Sequence, residues 1–271
     1  MRNFKDKIVV ITGAGSGIGR ALAIELAKRG AILILSDRNE DTLLETKNSV
    51  NTYGADCYTY VVDVSDEKAI QQFAKTVLKE HSYIDLLFNN AGIALGKISL
   101  QDVKMEDFKK IMDINVYGVI HHTKLFLDTL LQRPEAVVVN ISSLFGLVGI
   151  AEQVPYCTTK FAVRGFTESL RMELMNTNVE VYCVHPGGIN TNIYKDAIHY
   201  ERNATLDERF QKALERTSPQ EAAQTILKHI EKKKSRILIG IDAEMGDRLA
   251  RTLPLGYSNI IKRIVDYVAK N

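Results

Sequence analysis

Seven short apolar runs punctuate this chain, and most are followed by a longer segment with helical spacing. The runs are Lys7–Thr12, Ala31–Ser36, Cys57–Val62, Ile84–Phe88, Ala136–Ile141, Val179–His185 and, more weakly, Arg236–Gly240. Unbroken apolar stretches of this length suit strands buried on both faces, as in a parallel sheet, and not the alternating pattern of a half-exposed antiparallel one. Between them lie Ile18–Arg29, Asp41–Thr52, Asp66–Glu80, Met105–Leu131 and Tyr156–Met175, with apolar residues at helical period. Parallel neighbours require long, right-handed crossovers, so the alternation predicts βαβ units. The expected fold is α/β: a doubly wound parallel sheet of about seven strands with helices on both faces. No repeat or linker divides the chain, so residues 1–271 read as a single domain.

Composition excludes several classes. The balance of 35 Lys+Arg against 33 Asp+Glu lacks the basic excess of a nucleic-acid binder. A hydrophobic content of 45% matches an ordinary folded globule and not a disordered chain. Cys57, Cys157 and Cys183 cannot all pair, and their spacing fits no zinc module, which points to free thiols and no metal. The N-terminus runs directly into the first strand-like segment, and no apolar run approaches the ~18 residues of a membrane span. A cytoplasmic protein without a transmembrane segment is expected.

In doubly wound sheets ligands bind at the carboxyl ends of the strands, so the residues after each run matter most. The first run ends in Thr12-Gly13-Ala14-Gly15-Ser16-Gly17-Ile18-Gly19 and then a helix. Glycines there allow a tight turn and close backbone approach to a pyrophosphate, whose charge meets the free N–H groups of the helix N-terminus. This spacing, T-G-x-x-x-G-x-G, points to a Rossmann-type dinucleotide-binding turn, the alternative being a glycine-rich strand-to-helix turn with no ligand. Asp37 follows eighteen residues after Gly19, at the end of the second run. A carboxylate there can accept the adenosine ribose hydroxyls and repel a 2′-phosphate, which favours NAD over NADP. Arg38 complicates the choice: its guanidinium can bind a 2′-phosphate, stack on adenine, or simply be solvated.

Tyr156 and Lys160 form Y-x-x-x-K at the start of a predicted helix, one turn apart on one face. A nearby ammonium stabilises phenolate and draws a tyrosine pKa down from ~10 toward the range of proton exchange. Ser142 and Ser143 lie beyond the fifth run, where a hydroxyl can hydrogen-bond a reacting carbonyl oxygen or merely cap a turn.

Together these motifs resemble the short-chain dehydrogenase/reductase family, in its compact NAD(P)-dependent oxidoreductase branch. Further matches are Asp63-Val64, Asn89-Asn90-Ala91-Gly92, Asn115 within Ile114-Asn115-Val116, and Pro186-Gly187-Gly188-Ile189-Asn190-Thr191. The resemblance extends from about Lys5 to Thr191. It implies that Tyr156 is the general acid/base and that Lys160 holds the nicotinamide ribose and lowers the pKa of Tyr156. It further implies that Ser143, selected over Ser142 by its offset of thirteen from Tyr156, polarises the substrate oxygen, and that Asn115 holds a water linking Lys160 to solvent. For the cofactor it implies Gly13, Ser16, Gly17, Ile18, Gly19, Asp37 and Arg38. Asp63 and Val64 would flank adenine, and Asn90, Ala91 and Gly92 would support the cofactor. Tyr156, Lys160, Pro186, Gly187, Ile189 and Thr191 complete the set, Ile189 and Thr191 orienting the nicotinamide. A homodimer or homotetramer is implied as well, built through the long middle helix and the Tyr156 helix.

The expected activity interconverts an alcohol and a ketone or aldehyde. Leu95, Leu144, Phe145, Leu147, Val148, Ile150, Ile193 and Tyr194 suggest an apolar, medium-sized substrate. A non-catalytic dinucleotide sensor on the same fold is the alternative, disfavoured by intact Asn115, Ser143, Tyr156 and Lys160. Residues 192–235 read as a substrate-side lid region and 241–271 as a C-terminal extension. In the extension, Ile260, Ile261, Ile264, Val265 and Val268 share one helical face, expected to pack on this or another subunit, with association at a membrane surface as the alternative. His185 and the cysteines at 157 and 183 read as packed residues.

Overall fold

The computed structural model describes residues 1, 3–191, 193 and 217–270, apart from the side chains of 264–270. In chain order the elements are β1 (Ile8–Thr12), α1 (Gly17–Ala27), β2 (Ile32–Asp37), α2 (Glu40–Asn51), β3 (Cys57–Val61), α3 (Glu67–His81) and β4 (Leu86–Asn89). There follow α4 (Met105–Met112), α5 (Gly118–Leu131), β5 (Ala136–Ile141), α6 (Val154–Glu173) and β6 (Val179–Pro186). After residue 216 come α7 (Pro219–Glu231), β7 (Arg236–Ile239), α8 (Ile241–Thr252) and α9 (Tyr257–Lys270). All seven expected strands are present. They form one parallel sheet in the order β3-β2-β1-β4-β5-β6-β7.

Each strand feeds both faces because successive side chains alternate. Val9 and Ile11 of β1 join the core on the α1 side with Leu22, Leu26, Ile226 and Ile230. Ile8 and Val10 join the opposite core with Phe73, Val77, Phe126 and Leu170. Helix starts are set locally. Asn39 accepts the Thr42 N–H ahead of α2, and Asp66 accepts those of Lys68 and Ala69 ahead of α3. Ser218 and Glu221 form a reciprocal capping box ahead of α7.

The Met105–Leu131 segment is continuous but not uniform. Between α4 and α5, Asp113–Tyr117 wind as a π-helical turn, in which the Gly118 N–H reaches back to Asp113 O. Of the stretch 192–235, residues 194–216 and Asn192 lie outside the described residues, Tyr194 among them. Its later part is α7, whose Ala222, Ala223, Ile226, Leu227 and Ile230 are buried in the core. The side chains of Ile264, Val265 and Val268 also lie outside the described set. No helix among the described residues is long and apolar enough to cross a membrane.

Candidate functional site

The sheet changes winding direction between β1 and β4, and the carboxyl ends of these strands open the crevice where such sheets bind ligands. At the end of β1, Gly13 and Gly17 take φ of +65° and +52°, in the region that favours glycine. There is no room for larger residues. A Cβ on Gly19 would strike Gly13 O, and one on Gly17 would meet the Thr191 side chain at 3.2 Å. The glycine turn and the Pro186–Thr191 loop therefore face one another closely. Ser16 precedes α1 without a side-chain bond to the helix amides, and the first turn of α1 holds no acidic residue. That leaves the positive end of α1 for an external anion.

The turn is braced from β4. Asn90 Nδ2 donates to Thr12 O and Gly13 O, each at 3.0 Å, while Thr12 Oγ1 accepts the N–H groups of Asn90 and Ala91. At the end of β2, Asp37 Oδ2 accepts the Gly15 N–H at 2.8 Å and Oδ1 accepts the Asn39 N–H at 3.0 Å. Arg38 is exposed and makes no hydrogen bond or ion pair with a described residue. Arg20 instead serves structure, donating to Gly15 O, Thr42 O and Glu45. Asp63 turns its carboxylate to Ser65 at the end of β3. Val64 packs with an apolar cluster of Ile93, Ala94, Leu95, Ile111, Ile114 and Tyr156. Ile18 lies partly buried against the α1 side of the core.

The second half of the site gathers around α6. Lys160 is only 3% exposed, and its Nζ donates to Ile141 O at 3.1 Å. Burial draws its pKa down to about 8. Its Nζ lies 5.6 Å from the centre of the Tyr156 ring, and that ring meets Phe145 edge-on at 6.0 Å. Ser142 donates its hydroxyl to Lys160 O, whereas Ser143 accepts the Phe145 N–H at the start of a short 3₁₀ turn, Leu144–Gly146. Asn115 sits in the π turn with its amide committed. Oδ1 accepts the Ile93 N–H at 2.8 Å, and Nδ2 donates to Ile93 O and Thr159 Oγ1. Gly92 packs against both groups: a Cβ there would lie 3.1 Å from Asn115 Oδ1 and 3.5 Å from Lys160 Nζ.

The Pro186–Thr191 loop leaves β6 with the Gly187 N–H donating to Ile239 O, and Ile189 then pairs with Thr217 in a parallel bridge. His185 is buried, with Nδ1 donating to Ser143 O at 3.2 Å. Of the residues expected to meet substrate, Phe145, Ile193 and Leu95 join the Tyr156 cluster. Leu147 and Val148 are buried, and Ile150 lines a shallow groove with Val154, Cys157 and Phe161. Thr12 and Thr159 carry polar contacts that motif reading overlooked, although Thr12 opens the glycine motif and Thr159 precedes Lys160.

A family model described as short chain dehydrogenase matches residues 7–202, more than half the chain. A Mycobacterium tuberculosis protein named as the oxidoreductase SadH is 39% identical over 266 residues, covering 96% of each chain. The NADPH-dependent pterin aldehyde reductase of Arabidopsis thaliana is 33% identical over 187 residues, 69% of this chain and 76% of that one. Among solved structures, a short chain dehydrogenase/reductase from Burkholderia phymatum in complex with NAD superposes with a TM-score of 0.85 at 29% identity. That match covers 93% of this chain and 95% of the other.

Proposed function

The chain belongs to the short-chain dehydrogenase/reductase family of oxidoreductases, and from that premise we propose that it interconverts an alcohol and a ketone or aldehyde, with Tyr156 as general acid/base. The observation that carries this reading is Lys160, a buried ammonium beside the Tyr156 ring. Burying such a charge opposes folding unless something else requires it there.

The residues present fit a dinucleotide. The glycine turn has no space for side chains, α1 has an uncapped amino end, and Thr191 closes on Gly17 from the opposite loop. Gly13, Ser16, Gly17, Ile18 and Gly19 would hold the pyrophosphate, Asp37 the adenosine ribose, and Asp63 with Val64 the adenine. Asn90, Ala91 and Gly92 would back the cofactor, while Pro186, Gly187, Ile189 and Thr191 would orient the nicotinamide. When bound, the nicotinamide supplies or accepts the hydride. The fixed carboxylate of Asp37 supports NAD, since a 2′-phosphate beside it would meet like charge; exposed Arg38 keeps NADP within reach.

In the reducing direction Tyr156 donates its phenolic proton to the carbonyl oxygen, and Ser143 donates a hydrogen bond to that same oxygen. Lys160, charged below about pH 8, favours the phenolate that remains. Reprotonation of Tyr156 runs past Lys160 toward Asn115. Because the Asn115 amide is engaged by Ile93 and Thr159, its main-chain carbonyl would carry the water, at a π turn where regular helix pairing is disturbed. In oxidation Tyr156 removes the alcohol proton. The Ile93, Leu95, Phe145 and Ile193 surroundings of Tyr156 support an apolar, medium-sized substrate.

Three free thiols support a cytoplasmic setting. Exposed Tyr117 and Phe161, on the π turn and α6, support a homodimer or homotetramer, tested by molecular mass in solution. The activity test is a spectrophotometric panel of alcohols, ketones and aldehydes with NAD and with NADP. Turnover of apolar substrates is expected, and Tyr156→Phe should lose about a thousandfold or more while still binding cofactor. No turnover of any substrate by a protein that binds the dinucleotide would instead mean a nucleotide sensor.

A further inference from the structure

The C-terminal extension touches both loops that frame the site. Near the start of α8, Asp242 Oδ2 accepts the Gly188 N–H at 2.7 Å. The carboxylate lies so close over the preceding residue that a Cβ on Gly187 would collide with both of its oxygens. One turn further along α8, Gly246 permits close approach to the residue after Ser143: a Cβ there would come within 2.5 Å of Leu144 Cδ1. At the start of α9, Tyr257 Oη accepts the Gly149 N–H at 3.2 Å. Helix α8 is itself anchored, because Arg236 of β7 pairs with Asp247 and Ala243 is fully buried.

The Pro186–Thr191 loop needs such a support. Its two ends are held by backbone: the Gly187 N–H by Ile239 O, and the Asn190 N–H by Thr217 O at 3.0 Å. The loop opens after Pro186 with two consecutive glycines, Gly187 and Gly188, whose backbone has wide conformational freedom, and the Gly188 carbonyl accepts the Thr217 N–H at 3.4 Å. There the acceptor for the Gly188 N–H is a side chain, and it is charged. A charge-assisted bond of this kind is stronger and more directional than a neutral one.

We propose that Asp242 is a positioning residue: through Gly188 it fixes the Pro186–Thr191 loop so that Ile189 and Thr191 meet the nicotinamide end of the cofactor. The proposal rests on the dinucleotide reading above. It makes the extension a support of the cofactor site instead of an appendage. It also separates the two halves of that site, since the adenine end is built from the β1–α1 turn and the end of β2.

The test measures binding of NAD, NADP and ADP to the full chain by calorimetry; ADP carries the adenine and pyrophosphate but no nicotinamide. Asp242→Ala should weaken the dinucleotide that the wild type binds by about tenfold, the scale of a lost hydrogen bond to a charged acceptor, and leave ADP unchanged. Asp242→Asn, which keeps an oxygen acceptor, should recover most of that loss. Equal weakening of ADP and dinucleotide, an unchanged dinucleotide affinity, or an Asn variant no better than the Ala variant each overturns the proposal alone. A wild type that binds neither dinucleotide overturns the functional reading and this proposal with it. If circular dichroism shows the Ala variant unfolded, Asp242→Glu carries the same comparison, its carboxylate displaced by one methylene from the Gly188 N–H.

Discussion

The Ser142 hydroxyl donates to the main-chain carbonyl of Lys160 at 2.8 Å, joining the end of β5 to the helix that carries the buried ammonium. The bond is buried, and Gly146 covers it so closely that a Cβ at 146 would strike Ser142 Oγ. Of two adjacent serines, one is thus committed to structure. The other, Ser143, is half-buried and turns its oxygen toward the start of the following 3₁₀ turn.

Ser142→Ala and Ser143→Ala should therefore fail differently. Ser142→Ala removes a buried bond and is expected to lower stability by about 1–2 kcal/mol with kcat within about threefold of wild type. Ser143→Ala should leave the melting temperature nearly unchanged and lower kcat by about a hundredfold. Denaturant unfolding and steady-state kinetics on both variants decide; a reversed pattern would make Ser142 the substrate-facing serine.

Lys160 carries a proton in a site that disfavours charge, with its pKa drawn from 10.5 down to about 8 by burial. Below pH 8 both folded and unfolded chains hold that proton, and the whole penalty falls on the folded state. Between pH 8 and 10.5 the folded chain has released it while the unfolded chain has not, so the penalty fades as pH rises. Lys160→Met should accordingly be inactive yet at least as stable as wild type at pH 7, by up to about 2 kcal/mol. The difference should shrink toward pH 10. A variant clearly less stable than wild type at pH 7 contradicts this.

His122 and His185 are both buried, and burial pushes each down to about 4. In each, Nδ1–H donates to a carbonyl, Gly118 O or Ser143 O, and Nε2 has no partner among the described residues to receive a second proton's bond. The unfolded chain takes up these protons near pH 6.5, the folded chain only near pH 4. Stability is then fully present above pH 6.5 and declines as pH falls toward 4, by about 1.4 kcal/mol per pH unit for each histidine. Replacing either by Gln should remove its share of the acid slope in urea unfolding followed from pH 7 to 4. An unaltered slope in both variants would place the acid sensitivity elsewhere.

In the proposed function Asp37 would set cofactor preference, through a carboxylate that accepts the N–H groups of Gly15 and Asn39. Asp37→Ser removes the like charge that a 2′-phosphate would meet and leaves the exposed guanidinium of Arg38, the next residue, in place. The ratio of kcat/KM for NADP over NAD should rise by about tenfold or more. A wild type already faster with NADP would make Arg38 dominant.

The sheet was readable because its information is local. Val9, Val10 and Ile11 without a polar break, followed by glycines and a helical period, leave few alternatives to a buried parallel strand. The glycine turn and the Tyr156/Lys160 spacing are readable for the same reason: both depend on residues within one turn of each other. The π turn is not. Ile114, Asn115 and Val116 fit the spacing of an ordinary helix; the wider winding shows only in the Gly118 N–H bond to Asp113 O, and the Asn115 amide finds its partner in Ile93, twenty-two residues earlier in the chain. Asp242 is equally silent in sequence, an acidic residue at a helix start whose partner lies fifty-four residues away.

By itself, then, the sequence determined the strand–helix alternation, the glycine-rich turn after β1 and the residue types available for acid/base chemistry. Periodicity, backbone sterics and helix geometry act over a few residues, and they require no knowledge of the rest of the chain. Tertiary structure alone decided which of two serines is committed to Lys160, that Lys160 lies buried, and that the end of the chain returns to brace the Gly187–Gly188 turn. Those outcomes depend on burial and on hydrogen-bond partners from distant strands and helices, which come together only when the sheet is assembled.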